Sequence, residues 1–157
     1  MLTVSDRVSR GEAEDGSGGV LEELLLADGF EVTRRLVSDE RGQIARALVE
    51  LAGDANLVLS TGGTGLAARD VTPEATISVL EREAPGIAEA IRADSIARTP
   101  HGLLSRAVAG TIGSSLVVNL AGSPGACRDG YAVLRPALTH ALNLLADQRT
   151  ATDHINT

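Results

Sequence analysis

Asn56-Leu-Val-Leu-Ser-Thr-Gly-Gly-Thr-Gly-Leu-Ala-Ala-Arg-Asp-Val-Thr-Pro-Glu74 is the stretch that decides how this chain reads. Leu57-Val58-Leu59 has the length and β-branched character of a buried strand. Thr61-Gly62-Gly63-Thr64-Gly65 follows with almost no side-chain bulk, so its backbone N–H groups can approach an anion closely, and two hydroxyls stand ready to assist. Thr72 fits a helix N-cap and Pro73 the first helical position, so the next helix begins well after the glycines. The picture is an anion-cradling loop at the end of a strand with a carboxylate beside it, which points to phosphate chemistry.

Glycine-rich loops also serve as plain turns. Arg69 and Asp70 shift the balance, because a charged pair at the mouth of a strand-end crevice is where open α/β sheets bind ligands. Two familiar phosphate loops can be set aside. The P-loop needs a lysine to reach the β- and γ-phosphates, and all fourteen basic residues here are arginines. Gly63-Thr-Gly-Leu-Ala-Ala68 matches G-x-G-x-x-A, but that fingerprint works only where the glycines open the helix directly. Here Asp70 and the Thr72-Pro73 start intervene.

A chain of 157 residues is read as one domain, residues 1–148, able to bury a proper core, with a frayed tail over 149–157. No apolar run approaches the length of a membrane span and no signal-peptide pattern is visible. The single Cys127 has no internal disulfide partner, which fits a cytoplasmic protein. A formal charge of −7 without a basic stripe speaks against nucleic acid, as does the near absence of aromatic side chains for base stacking. Abundant Ala, Leu, Val and Gly suit helices packed on a parallel sheet.

Outward from the loop, Leu2-Thr3-Val4-Ser5 reads as a first strand and Asp6 to Gly19 as a mobile polar loop. A helix is expected over Val20–Ala27, a second strand over Phe30–Val37, and a helix capped by Asp39 with Ile44, Leu48 and Leu51 on one face. Strand–helix–strand–helix–strand with short connections implies parallel pairing and right-handed crossovers. Residues 73–84 read as a helix with Ile77 and Leu80 inward, broken at Pro85-Gly86 and followed by another to about Arg98. Strands over Arg106–Ile112 and Leu116–Leu120 join through Gly113-Ser114-Ser115. Gly122-Ser123-Pro124-Gly125 turns into a last helix of roughly 20 residues.

In such a sheet the carboxyl ends of the strands share one rim, so Asp6, Asp39 and Asp70 converge. Asp39 and Asp70 could share a magnesium ion, which takes one or two carboxylates and leaves room for phosphate oxygens. Helix capping alone is the plainer role for Asp39, and a turn for Asp6; Asp70 has no capping duty, since Thr72 takes it. His101, His140 and His154 lack metal-ligand spacing. Cys127 has no histidine in a catalytic pattern and reads as a small buried side chain.

Taken together, Leu2-Thr-Val-Ser-Asp-Arg7, Ser60-Thr-Gly-Gly-Thr-Gly65, Arg69-Asp-Val-Thr-Pro-Glu74, Pro85-Gly86, Leu104-Ser-Arg106 and Asn119-Leu-Ala-Gly-Ser-Pro-Gly125 resemble the molybdenum-cofactor biosynthesis family of the Mog/MoaB type. The resemblance runs in order along essentially the whole chain. It departs at Ala121, where the family often has proline, and in the short start of the first strand. It implies an α/β three-layer sandwich with a mostly parallel central sheet, assembled as a homotrimer. The implied activity is transfer of AMP from Mg-ATP to the molybdopterin phosphate with release of pyrophosphate, the product passing to a molybdate-inserting partner enzyme. By position Asp39 and Asp70 are the family's catalytic, metal-holding acids and Ser105, with Arg106, lies on the pterin side. Thr61, Gly62, Gly63, Thr64 and Gly65 would hold phosphate, Gly122, Ser123 and Pro124 the nucleotide side, and Ser5 and Asp6 further substrate contacts. A non-catalytic molybdopterin-binding relative and a nucleotide pyrophosphate hydrolase on the same fold are the two alternatives.

Overall fold

The computed structural model describes residues 1–153, with side chains to Asp147. Its centre is β3 (Leu57–Thr61), the strand of the opening motif, paired in parallel with β1 (Leu2–Val4) on one side and β6 (Ser115–Leu120) on the other. β2 (Arg35–Val37) extends the sheet in parallel beyond β1. Past β6 the direction reverses: β5 (Ala109–Ile112) pairs antiparallel with β6, and the two-residue β4 (Arg82–Glu83) antiparallel with β5. The order across the sheet is β2-β1-β3-β6-β5-β4. The β5–β6 hairpin turns through Gly113, whose φ of 55° suits a residue without a Cβ.

Alternation along the central strands builds a core on each face. Leu59, Val118 and Leu120 point to one side, against α2 (Gly16–Ala27), α5 (Pro85–Arg98) and the long α6 (Pro124–Asp153). Val58 and Val117 point to the other, where Ile44, Leu48 and Leu51 of α3 (Arg41–Asp54) and Ala75 of α4 (Thr72–Ile77) meet them. A helix layer on both faces of a mostly parallel sheet is the expected sandwich. Cys127 is fully buried in the first cluster, and burial pushes its thiol up to about 11, so it is packing material. His140 lies exposed on α6.

Several local expectations are corrected. The polar stretch from Asp6 is no loop: Asp6–Ser9 form a helical turn, α1, capped by the Ser5 hydroxyl. α2 begins at Gly16, because the Asp15 carboxylate caps it by accepting the Gly18 N–H at 2.9 Å. Only Arg35–Val37 of the stretch from Phe30 is strand. The Phe30 N–H closes the end of α2 on the Leu25 carbonyl, and Phe30 and Val32 then pack on the core as irregular chain. α4 stops at Ile77, which is exposed, and the chain swings out so that Glu81 and Ala84 bond to β5 as the sheet edge. The fifth strand starts at Ala109; Ser105 and Arg106 precede it, after a 3-10 turn over Pro100–Leu104. α6 runs 30 residues, not 20, with Pro136 inside it. The backbone of the tail expected from 149 is helical to Asp153, and residues 154–157 lie outside the described residues.

Candidate active site

Because β2, β1, β3 and β6 run parallel, the loops that follow them open on one rim. There they enclose a cleft of about 390 Å³, lined by Ser5 after β1, Asp39 after β2, Gly62, Gly63 and Asp70 after β3, and Gly122 and Pro124 after β6.

Asp6 and Asp39 are tied to each other reciprocally. The Asp6 N–H donates to Asp39 Oδ2 at 2.7 Å, and the Asp39 N–H to Asp6 Oδ1 at 3.0 Å. Arg69 then reaches across from the third loop, donating from Nε and Nη2 to the two Asp6 oxygens at 2.9 and 3.0 Å, and pairs with Glu40 as well. This guanidinium holds the Asp6 carboxyl below the usual carboxylate range. Asp39 moves the opposite way: burial raises it, and the neighbouring charges of Asp6 and Asp70 raise it further.

Two glycines make room for the acids. A Cβ on Gly63 would stand 3.1 Å from Asp39 Oδ1, and one on Gly65 only 2.8 Å from Asp70 Oδ2. Asp70 is fixed as well, its Oδ2 accepting the Ala67 N–H at 3.0 Å. Both carboxylates therefore face the glycine loop.

The loop itself is held from behind. The Gly62 N–H continues the ladder onto the Leu120 carbonyl at 3.2 Å. The Thr72 hydroxyl donates to the Gly62 carbonyl at 2.9 Å, and the Thr72 N–H to that of Gly63. Behind Thr72, the buried Asn119 amide donates to both Ser60 and Thr76, knitting β6, β3 and α4 together. Among the described residues no protein acceptor takes the N–H of Gly63, Thr64 or Gly65, and of the three Gly63 lines the cleft; unpaired loop amides of this kind are what a cradle can offer an anion.

Several expected roles change. The Asp39 side chain does not cap α3: the cap position falls on Glu40, and Asp39 serves Asp6 instead. Nor does Thr72 cap α4, since its hydroxyl is turned to Gly62 and the cap position is Val71. Thr61 is buried with its hydroxyl on the Ala121 carbonyl at 2.9 Å; Thr64 is buried as well, and neither of them, nor Gly65 or Asp6, lines the cleft. Ser123 caps α6 by accepting the Ala126 N–H and does not line the cleft, whereas Gly122 and Pro124 do. Ser105 and Arg106 lie outside the cleft lining, although the Arg106 N–H bonds to the Thr64 carbonyl at 2.9 Å and so places both residues beside the loop.

The sequence reading overlooked the wall formed by Glu14, Asp15, Gly16 and Ser17. Asp15 organises it, capping α2 while accepting the Thr3 hydroxyl at 2.7 Å and an Arg34 N–H at 2.8 Å. The signal was present: Asp15 before a short polar run and the periodic leucines is an N-cap pattern, masked by the four glycines between 11 and 19.

Oxygen donors in a pair, amides without acceptors and an open rim are the features of a strand-end ligand site in an α/β protein. No group of three or more His, Cys, Asp or Glu that could cage a metal occurs among the described residues. Comparison with known proteins narrows the class. Residues 1–140 match the family model described as a probable molybdopterin binding domain. The molybdopterin adenylyltransferase of Helicobacter pylori strain J99 is 38% identical over 150 residues, covering 92% of this chain and 85% of the relative. The crystal structure of the molybdopterin biosynthesis enzyme MoaB from Thermus thermophilus superposes with a TM-score of 0.86 at 45% identity, covering 92% of each chain. The tungsten cofactor synthesizing protein MoaB from Pyrococcus furiosus gives 0.84 at 33% identity, covering 92% of this chain and 93% of that one. The chain belongs to the molybdopterin-binding family of molybdenum-cofactor biosynthesis, in its Mog/MoaB branch.

Proposed function

We propose that this chain is a molybdopterin adenylyltransferase. An oxygen of the molybdopterin phosphate attacks the α-phosphorus of ATP, the bond to the β-phosphate breaks, and pyrophosphate leaves with the electron pair. The observation that carries this reading is the pair Asp39 and Asp70, both aimed at the glycine loop in the rim cleft. Their donor chemistry fits magnesium, which needs only one or two carboxylates when substrate phosphates complete its shell. Asp39 and Asp70 would hold that ion, which supplies charge neutralisation for the phosphates when bound. The loop amides of Gly63, Thr64 and Gly65 orient the transferring phosphate and meet its growing negative charge. Little covalent work falls to the protein, consistent with Cys127 being buried away as a neutral thiol.

The supporting assembly is a cytoplasmic homotrimer of a single domain over residues 1–148, handing its product to a molybdate-inserting enzyme. Exposed Leu66, Leu103 and Leu104 offer apolar surface for neighbouring subunits. No helix among the described residues is long and apolar enough to cross a membrane.

The test is incubation with molybdopterin, ATP and magnesium, with mass detection of the adenylylated pterin. Pyrophosphate should appear only when all three are present. Asp70→Asn, which keeps the shape and removes the charge, should cost on the order of 10²-fold in turnover with folding intact. Pterin binding without turnover would make the chain a carrier, and nucleotide loss without pterin a hydrolase; either overturns the proposal.

A further inference from the structure

Arg106 stood among the expected substrate contacts, yet each of its three guanidinium nitrogens donates within the protein. Nε donates to the Gly65 carbonyl at 2.7 Å and Nη2 to the Asp70 carbonyl at 2.5 Å, while Nη1 pairs with Glu74 on α4. With its own N–H on the Thr64 carbonyl, this one residue grips both ends of the segment from Thr64 to Asp70. Between those ends lie the exposed Leu66, Ala67, Ala68 and Arg69, a stretch with little packing of its own. Arg106 is in turn staked from below. Arg92 of α5 donates to the carbonyls on either side of it, those of Ser105 at 2.9 Å and Ala107 at 2.7 Å.

We propose that Arg106 is a positioning residue, which couples the Ser105 segment to Asp70 by clamping the glycine loop, and is not a contact for substrate phosphate. The inference rests on the adenylyltransferase reading for its catalytic consequence, and on the geometry alone for the clamp. The guanidinium geometry matters here. Three acceptors on different residues are met by three separate nitrogens of a planar fork, a task that a point-charge ammonium cannot perform. A side chain that merely neutralised a phosphate would be largely replaceable by lysine. Because the segment that carries Ser105 also carries the clamp, a ligand that presses on Ser105 shifts the support of Asp70. Occupancy on the pterin side should therefore alter nucleotide affinity, and the reverse must hold to the same extent.

The experiment uses the full chain as wild type, Arg106→Lys and Glu74→Gln. Hydrogen exchange, read without substrates, should show the amides of Ala67, Asp70 and Thr72, whose acceptors lie within residues 63–70, exchanging at least about ten-fold faster in Arg106→Lys, with β3 and β6 unchanged, as expected when charged hydrogen bonds are lost. Turnover should fall in Arg106→Lys through kcat more than through KM for either substrate. Glu74→Gln, which touches no proposed substrate, should move loop exchange and kcat the same way to a smaller degree, and it carries the test if Arg106→Lys does not fold. Calorimetric titration of Mg-ATP with and without molybdopterin should show coupling in wild type that shrinks in both variants. Restoration of turnover by lysine, or loop exchange unchanged in both variants, would overturn the clamp. A wild-type chain that transfers no AMP would defeat the adenylyltransferase reading instead, leaving the exchange result to judge the clamp.

Discussion

Gly62→Ala is the sharpest perturbation of the framework that carries the site. Gly62 has a φ of 100°, outside the range that side chains readily adopt, and its missing Cβ points straight at the Val4 carbonyl oxygen. That oxygen belongs to the β1 backbone and cannot rotate away. An alanine there must either push β1 off β3 or lift the loop, breaking the Gly62 N–H bond to Leu120 and the Thr72 hydroxyl bond to Gly62. Backbone strain of about 1–3 kcal/mol and a similar overpacking term give a loss of about 2–6 kcal/mol. This is a large part of the roughly 5–15 kcal/mol that stabilises an ordinary domain. Gly113 is the control. Its φ of 55° is also left-handed, but a Cβ there meets nothing within 4 Å, so Gly113→Ala should cost only about 1 kcal/mol. Gly63→Ala falls between in stability, because its Cβ meets the buried Thr72 hydroxyl, a side-chain atom that can turn away only by giving up its bond to the Gly62 carbonyl; it also crowds Asp39 Oδ1 at 3.1 Å and should hurt turnover more than folding. Urea unfolding of the three variants at 25 °C measures the series. The reasoning fails if Gly62→Ala proves no more costly than Gly113→Ala.

Two further outcomes follow from the acids and the pterin side. Burial and like charge raise the Asp39 pKa in the fold, so the folded chain binds the extra proton between the ordinary carboxylate range and that raised value, and stability falls as pH rises through this window. Asp39→Asn in EDTA should therefore be at least as stable as wild type at pH 7 and lose this advantage toward pH 4, as denaturant midpoints will show, while turnover with magnesium drops on the order of 10²-fold. Destabilisation of Asp39→Asn at pH 7 would mean that its bond to Asp6 outweighs the charge. Ser105→Ala should weaken molybdopterin by about 1.5–3 kcal/mol and leave ATP affinity unchanged in separate calorimetric titrations; the converse would move Ser105 to the nucleotide side.

The centre of the fold was legible because its signals are local. Leu57–Leu59 is apolar and short, the glycines follow, and the order of strands and helices dictates parallel pairing. The acids on the rim follow from the same topology. What could not be read is where tertiary contacts overrule local preference. Thr72 has every local reason to cap α4, yet the Gly62 carbonyl sits closer to its need and takes the hydroxyl. Gly16, Gly18 and Gly19 are poor helix formers, yet Asp15 is pinned by Thr3 and Arg34, and the helix starts there. Arg34 stands just before the short β2, and nothing local to it marks it as the residue that holds the Asp15 cap of α2.

The arginines show why charge alone misleads in reading such a site. With no lysine in the chain, arginines beside the rim invite assignment to phosphate. Arg69 is held by Asp6 and Glu40, Arg92 by two main-chain carbonyls, and Arg106 by the glycine loop and Glu74. Each braces a segment that has little regular structure of its own, which is the task a rigid five-donor fork performs best. The rim consequently presents carboxylates and bare amides to a ligand. A polyphosphate can settle against such a surface only if its own charge arrives partly neutralised, so the arrangement that releases the arginines for scaffolding is also the ground on which a magnesium-bound nucleotide is proposed as the substrate.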